Sequence, residues 1–72
     1  MKFEYDPEAD ALYIQLREAY AEDNIDIEEG VTVDLDAKGH IIGIEILDAK
    51  DLLGKGELPK VVVENLPFQT AA

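Results

Sequence analysis

Val31-Thr32-Val33-Asp34-Leu35-Asp36-Ala37-Lys38-Gly39-His40-Ile41-Ile42-Gly43-Ile44-Glu45-Ile46-Leu47 is the stretch from which the fold is read. Its apolar residues recur at every second position, which is the strand period. Val31, Val33 and Leu35 share one face, opposite Thr32, Asp34 and Asp36. Ala37-Lys38-Gly39-His40 reads as a tight turn, with Gly39 free to take a positive φ. After the turn, Ile42, Ile44 and Ile46 face one way and Ile41, Gly43, Glu45 and Leu47 the other. Apolar residues on both faces predict a central strand, or one covered by a second layer.

The same rhythm extends toward the N-terminus. Asn24 to Glu28 alternates, with Ile25 and Ile27 expected inward, and Glu29-Gly30 ends the run. Ala11 to Arg17 is a further strand, with Leu12, Ile14 and Leu16 opposite Tyr13, Gln15 and Arg17. Lys2 to Tyr5 forms a short first strand with Phe3 and Tyr5 on one face. Asp6-Pro7-Glu8-Ala9-Asp10 joins these two as a turn, because Pro7 presets φ and Asp6 can close it. Glu18 to Asp23 is an acidic connector.

Toward the C-terminus, Asp48 reads as an N-cap and Gly54 as the stop of a helix of one to two turns, which offers Ala49, Leu52 and Leu53 to the sheet. Val61-Val62-Val63 favours a short strand through its β-branched side chains. Leu66-Pro67-Phe68 reads as an apolar clip, and Gln69 to Ala72 as a frayed end. The expected fold class is α+β: a mainly antiparallel sheet of four to five strands, built from two hairpins, with one short helix after the last core strand. Residues 1–72 read as a single small domain, with a core over about 2–53 and a C-terminal extension over 55–72.

Seventy-two residues bury only roughly 60–65% of the surface that the unfolded chain exposes. Domains of this size generally need a staple, and the chain has no cysteine to supply a disulfide or a thiolate site. Self-association, as a homodimer, is the expected reinforcement. No apolar run approaches ~18 residues and the N-terminus has no apolar leader core, so a cytoplasmic protein without a membrane partner is expected. Seventeen acidic residues against six basic ones give a net charge of −11. A field of that sign repels phosphate backbones and anionic headgroups, which excludes nucleic acid and favours a basic protein as any macromolecular partner.

Candidate chemistry is sparse. Asp34, Asp36 and Glu45 match the first, third and twelfth ligand positions of a calcium loop. Lys38 stands where a further oxygen ligand belongs, however, and the flanks alternate as strands. Asp6, Glu8 and Asp10 form a second acidic group, read more simply as turn residues. His40 is the only histidine, placed at a polar turn with no partner to orient it for acid–base work. The chain lacks serine and cysteine, and Thr32 and Thr70 have no neighbouring base. Gly54-Lys55-Gly56 lacks the rest of any phosphate-binding fingerprint. Phe3, Tyr5, Tyr13, Tyr20 and Phe68 are the aromatic residues, and Tyr13, facing away from Leu12 and Ile14, reads first as ordinary sheet packing and otherwise as a contact surface on the outer sheet face. No catalytic, cofactor-binding or metal residue is assigned.

Three ordered blocks carry a resemblance: Tyr5-Asp6-Pro7-Glu8-Ala9-Asp10-Ala11-Leu12-Tyr13-Ile14, Glu29-Gly30-Val31-Thr32-Val33-Asp34-Leu35-Asp36, and Gly39-His40-Ile41-Ile42-Gly43-Ile44-Glu45-Ile46-Leu47-Asp48-Ala49. Over roughly residues 2 to 53 the chain resembles the domain-of-unknown-function 2283 family of short prokaryotic proteins. The resemblance implies a compact, mostly antiparallel α+β domain with no established activity. It also implies an association with small RNase-type toxins as their antitoxin partner. The motif residues read as structural: the Asp6-Pro7 turn, Gly30 and Gly39 at positive φ, and Gly43 admitting a close neighbour. The leading expectation is a non-enzymatic binding module, dimeric and antitoxin-like toward a basic toxin. The alternatives are a metal-dependent protein using Asp34, Asp36 and Glu45, and an orphan structural protein whose acidity serves solubility.

Overall fold

The computed structural model describes residues 1–69. Its elements are β1 (Lys2–Asp6), β2 (Ala11–Gln15), β3 (Asp23–Glu28), β4 (Val31–Leu35), β5 (Ile41–Ile46) and the helix α1 (Ala49–Gly54). All five strands form one antiparallel sheet in the order β1-β2-β5-β4-β3. The strand with apolar residues on both faces, β5, lies at the centre, and an outer hairpin flanks it on each side. The fold is the expected α+β arrangement, with one short helix after the last strand.

Register sorts the side chains. Phe3, Ile14, Ile44, Val33 and Ile25 are directly paired in one line across all five strands. Tyr5, Leu12, Ile46 and Val31 form a second apolar line beside it. Because directly paired residues project to the same side, this face is mainly apolar, with Asp23 opposite Leu35 and Glu28 opposite Val31 at its β3 edge. The other face carries the line Glu4, Tyr13, Glu45, Thr32, Asp26, and beside it Lys2, Gln15, Gly43, Asp34, Asn24. Irregularities between Asp26 and Glu28 and between Asp34 and Leu35 shift the register at two points, as bulges do.

Two aspartates close the hairpins. Asp6 Oδ1 accepts from the Glu8 and Ala9 amides at 3.0 and 3.3 Å. Asp36 Oδ1 accepts from the Lys38 and His40 amides, both at 2.9 Å. Gly30 and Gly39 hold φ of +83° and +81°, conformations that a side chain would strain.

The helix departs from its expected construction. Asp48 occupies the N-cap position, but at φ 52° and with no side-chain capping bond. Asp10, forty residues away in the β1–β2 turn, does this work instead: its carbonyl accepts from Ala49 N at 3.0 Å and its carboxylate from Lys50 N at 3.2 Å. A left-handed Asp48 turns the chain so sharply that the first helical amides meet that turn rather than their own cap. Gly54 is the last helical residue. The left-handed conformations that end the helix fall on Lys55 and Gly56, while Gly54 leaves room for Pro59, whose N lies 3.1 Å from where a Cβ would stand. Ala49 is buried, whereas Leu52 and Leu53 remain about half exposed. The helix therefore plugs the end of the sheet near Asp10 and Gly30 without forming a layer over it.

Val61-Val62-Val63 forms no strand, and every residue from Lys60 to Gln69 is exposed. Three β-branched residues favour extended backbone but need an open sheet edge to pair with, and none is reached here. The Leu66-Pro67-Phe68 clip is left largely exposed, with Leu66 51% and Phe68 63% accessible. The expected frayed end beyond Gln69 lies outside the described residues. Ile25 and Ile27, expected inward, are 48% and 60% exposed: they belong to edge strand β3, which pairs with β4 alone among the described residues. Val33, Ile42, Ile46 and Ala49 are the buried apolar residues among those described.

Candidate functional site

The polar face is organised around Gly43. The Tyr13 ring leans from β2 across β5 at this glycine, and its hydroxyl donates to Asp34 Oδ2 on β4 at 2.9 Å. A Cβ at Gly43 would overlap the phenol, so the missing side chain is what lets one tyrosine tie three strands together. Partial burial, and then the bond to Asp34, raises the Tyr13 phenol above its ordinary pKa, with the Asp34 and Glu45 charges acting in the same direction. In the neighbouring line, Thr32 Oγ1 donates to Asp26 Oδ1 at 2.9 Å.

Asp34, Asp36 and Glu45 are not brought together as a ligand set. Asp34 is held by Tyr13. Asp36 lies in the turn with its carboxylate committed to backbone amides, and the His40 amide bond is the foremost reason its carboxyl sits below the usual range. Glu45 pairs across the sheet with Thr32 and Tyr13. Asp6 and Asp10 are likewise occupied, by turn amides and by the helix, and Asp10 Oδ1 also accepts from Tyr5 OH at 2.8 Å. Among the described residues no three carboxylate or imidazole groups converge on a point where a metal ion would sit. His40 is exposed, with Nδ1 3.7 Å from Asp36 Oδ2.

Two open depressions interrupt the surface. One, of about 230 Å³, is lined by Glu4, Tyr5, Asp6, Ala11, Leu12, Tyr13 and Glu45. The other, of about 370 Å³, lies between Glu28, Glu29 and Gly30 and the helix residues Asp48, Asp51 and Leu52. Neither brings an acid, a base and a nucleophile into one constellation. No helix is long and apolar enough to cross a membrane among the described residues.

Two features escaped sequence reading. The role of Asp10 depends on a contact spanning forty residues, and its only local trace is an aspartate able to take a left-handed φ, here 51°. The breadth of the apolar face was implicit in the alternation, but its buried centre at Val33, Ile42 and Ile46 and its exposed flanks at Phe3 and Ile25 were not.

Among the described residues, a single antiparallel sheet with one mainly apolar and one polar face, and one short helix plugging its end, define a small acidic α+β protein. The chain belongs to the family described as "Protein of unknown function (DUF2283)", which it matches over residues 2–50. That span ends inside α1 and leaves out the extended tail. No curated protein and no solved structure matches the chain.

Proposed function

We propose that this protein is a non-enzymatic binding module that sets its polar sheet face against a basic protein, in the manner of an antitoxin covering a small basic toxin. The observation that carries this reading is the face itself: Glu4, Glu45, Asp26 and Asp34 stand on it, in a chain of net charge −11. Complementary fields of this kind speed encounter and reject wrong partners. The rigid Tyr13–Asp34 tie supplies a preformed surface, which lowers the ordering cost of association.

Co-expression of the tagged chain in its native host, with capture at low ionic strength, tests the reading. A small basic protein should co-purify, leave the column as salt is raised, and fail to bind the double variant Glu4→Lys with Glu45→Lys. Recovery of no basic protein at low salt, or capture indifferent to that charge reversal, would count against it.

A further inference from the structure

We infer that the apolar sheet face is the seat of a second copy of this chain, so that the working unit is a face-to-face dimer with both acidic faces outward. This stands apart from the proposed use of the polar face, since it concerns the opposite side of the sheet.

Exposed area is the first argument. The chain presents 6061 Å² to solvent, whereas folded monomers of 8.0 kDa expose about 4,500 Å² by the usual scaling with mass. The excess is roughly 1,500 Å² per copy, against the roughly 800 Å² that each partner gives to a standard interface. The exposed tail carries part of it, and the flanks of the apolar face at Phe3, Tyr5 and Ile25 carry another part.

Composition is the second. The line Phe3, Ile14, Ile44, Val33, Ile25 spans all five strands without a charge, and the adjoining Tyr5, Leu12, Ile46 and Val31 extend it. Five strands at about 4.8 Å spacing make this a patch some 19 Å wide. Its flanks are the exposed part, with Phe3 54%, Tyr5 37% and Ile25 48% accessible. Glu4, Asp26, Asp34 and Glu45 occupy the opposite face, while Asp23 and Glu28 stand only at the β3 edge of this one, so stacking two apolar faces about 10 Å apart keeps most of the two negative fields on the outside, roughly a Debye length or more from each other at moderate salt. A hetero-partner would need only general apolarity here. A second copy brings the same apolar line from Phe3 to Ile25 and the same unmet need for burial at its flanks.

Sedimentation equilibrium on the full chain, together with isotope-filtered NMR on a mixture of labelled and unlabelled chains, tests the inference. The expected mass is twice that of the chain, with intermolecular contacts at Phe3, Tyr5, Ile25 and Ile44. Dissociation should become at least about 100-fold easier in Phe3→Lys with Ile25→Lys, placed at the exposed flanks so that the folded monomer survives. The labelling experiment needs no variant and stands if that double change unfolds the chain. A monomer at millimolar concentration overturns the inference. So does a dimer whose intermolecular contacts fall on Glu4, Tyr13 and Thr32, or run along the backbone of edge strands β1 or β3.

Discussion

An alanine at Gly43 would drive its methyl group into the Tyr13 hydroxyl and ring, and the ring can escape only by giving up Asp34. Gly43→Ala should therefore cost about 1–3 kcal/mol, the range of a strained substitution together with a lost part-buried hydrogen bond. The cost should shrink when Tyr13→Ala is made first, as coupling in a double-mutant cycle. A titration adds an independent readout. The raised Tyr13 pKa means that the neutral phenol favours the folded state: its contribution is complete below the unfolded value of about 10 and is lost as pH climbs through the folded one. In Gly43→Ala the tyrosinate absorbance should rise at lower pH than in the wild type. Asp36 works in the opposite sense. Its carboxyl is lowered, first by the His40 amide and also by the Lys38 amide, the imidazole and the Arg17 guanidinium. Its contribution is thus present above the unfolded pKa of about 3.9 and is lost as pH falls through the folded value. Asp36→Asn should flatten the acid limb of a stability–pH curve while leaving the alkaline limb unchanged, as followed by thermal melts. An unchanged acid limb would show that the turn amides do not favour the carboxylate.

Helix α1 has six residues and no side-chain cap of its own, too short to persist by propensity. Its survival rests on Asp10, so Asp10→Ala should cost about 1–2 kcal/mol, as loss of an N-cap does. It should also release the Lys50 amide to faster hydrogen exchange. Asp10→Asn keeps an acceptor and tolerates the left-handed backbone, and should recover most of that loss. The five strands themselves were readable from alternation alone, because a period of two needs only neighbours along the chain. The double-sided apolarity of Ile41 to Leu47 left two readings, a central strand or one covered by a second layer, and the strand order decides for the first. Partners distant in sequence were not readable: Asp48 looks like a cap by every local criterion, and only the meeting of the β1–β2 turn with the start of the helix assigns the role to Asp10. Ile25 and Ile27 show the same limit, since alternation tells which face a residue shares but not whether anything covers that face. Val61 to Val63 show it from the other side, as propensity makes a strand only where an edge is within reach. For the candidate site, Gly43 was marked as a place of close approach by being a glycine in a strand. The Tyr13 to Asp34 tie across it needed the register.

Taken whole, the molecule sets a thin core against a large like charge. Residues 60–69 are exposed throughout, so deleting residues 61–72 should change stability by no more than about 0.5 kcal/mol, as surface changes do. The mass in solution should remain that of a dimer, whereas a fall to the monomer mass would move the interface to the tail. Charge gives the sharper expectation. With −11 on each chain, self-repulsion opposes both the compact state and the pairing of two copies. Raising ionic strength from about 0.01 M to about 1 M shortens the Debye length from roughly 30 Å to roughly 3 Å. Over that range the melting temperature should rise, and the dimer should tighten or hold, because an apolar interface loses nothing to screening. Binding of a basic partner to the polar face should weaken over the same interval, since its attraction is what salt removes. One titration therefore separates the two faces: an assembly that tightens with salt belongs to the line from Phe3 to Ile25, and one that loosens belongs to Glu4, Glu45 and Asp26. A dimer that dissociates as salt is added would be held by ion pairs between acidic and basic side chains rather than by the apolar line, and the assignment of that face would fall.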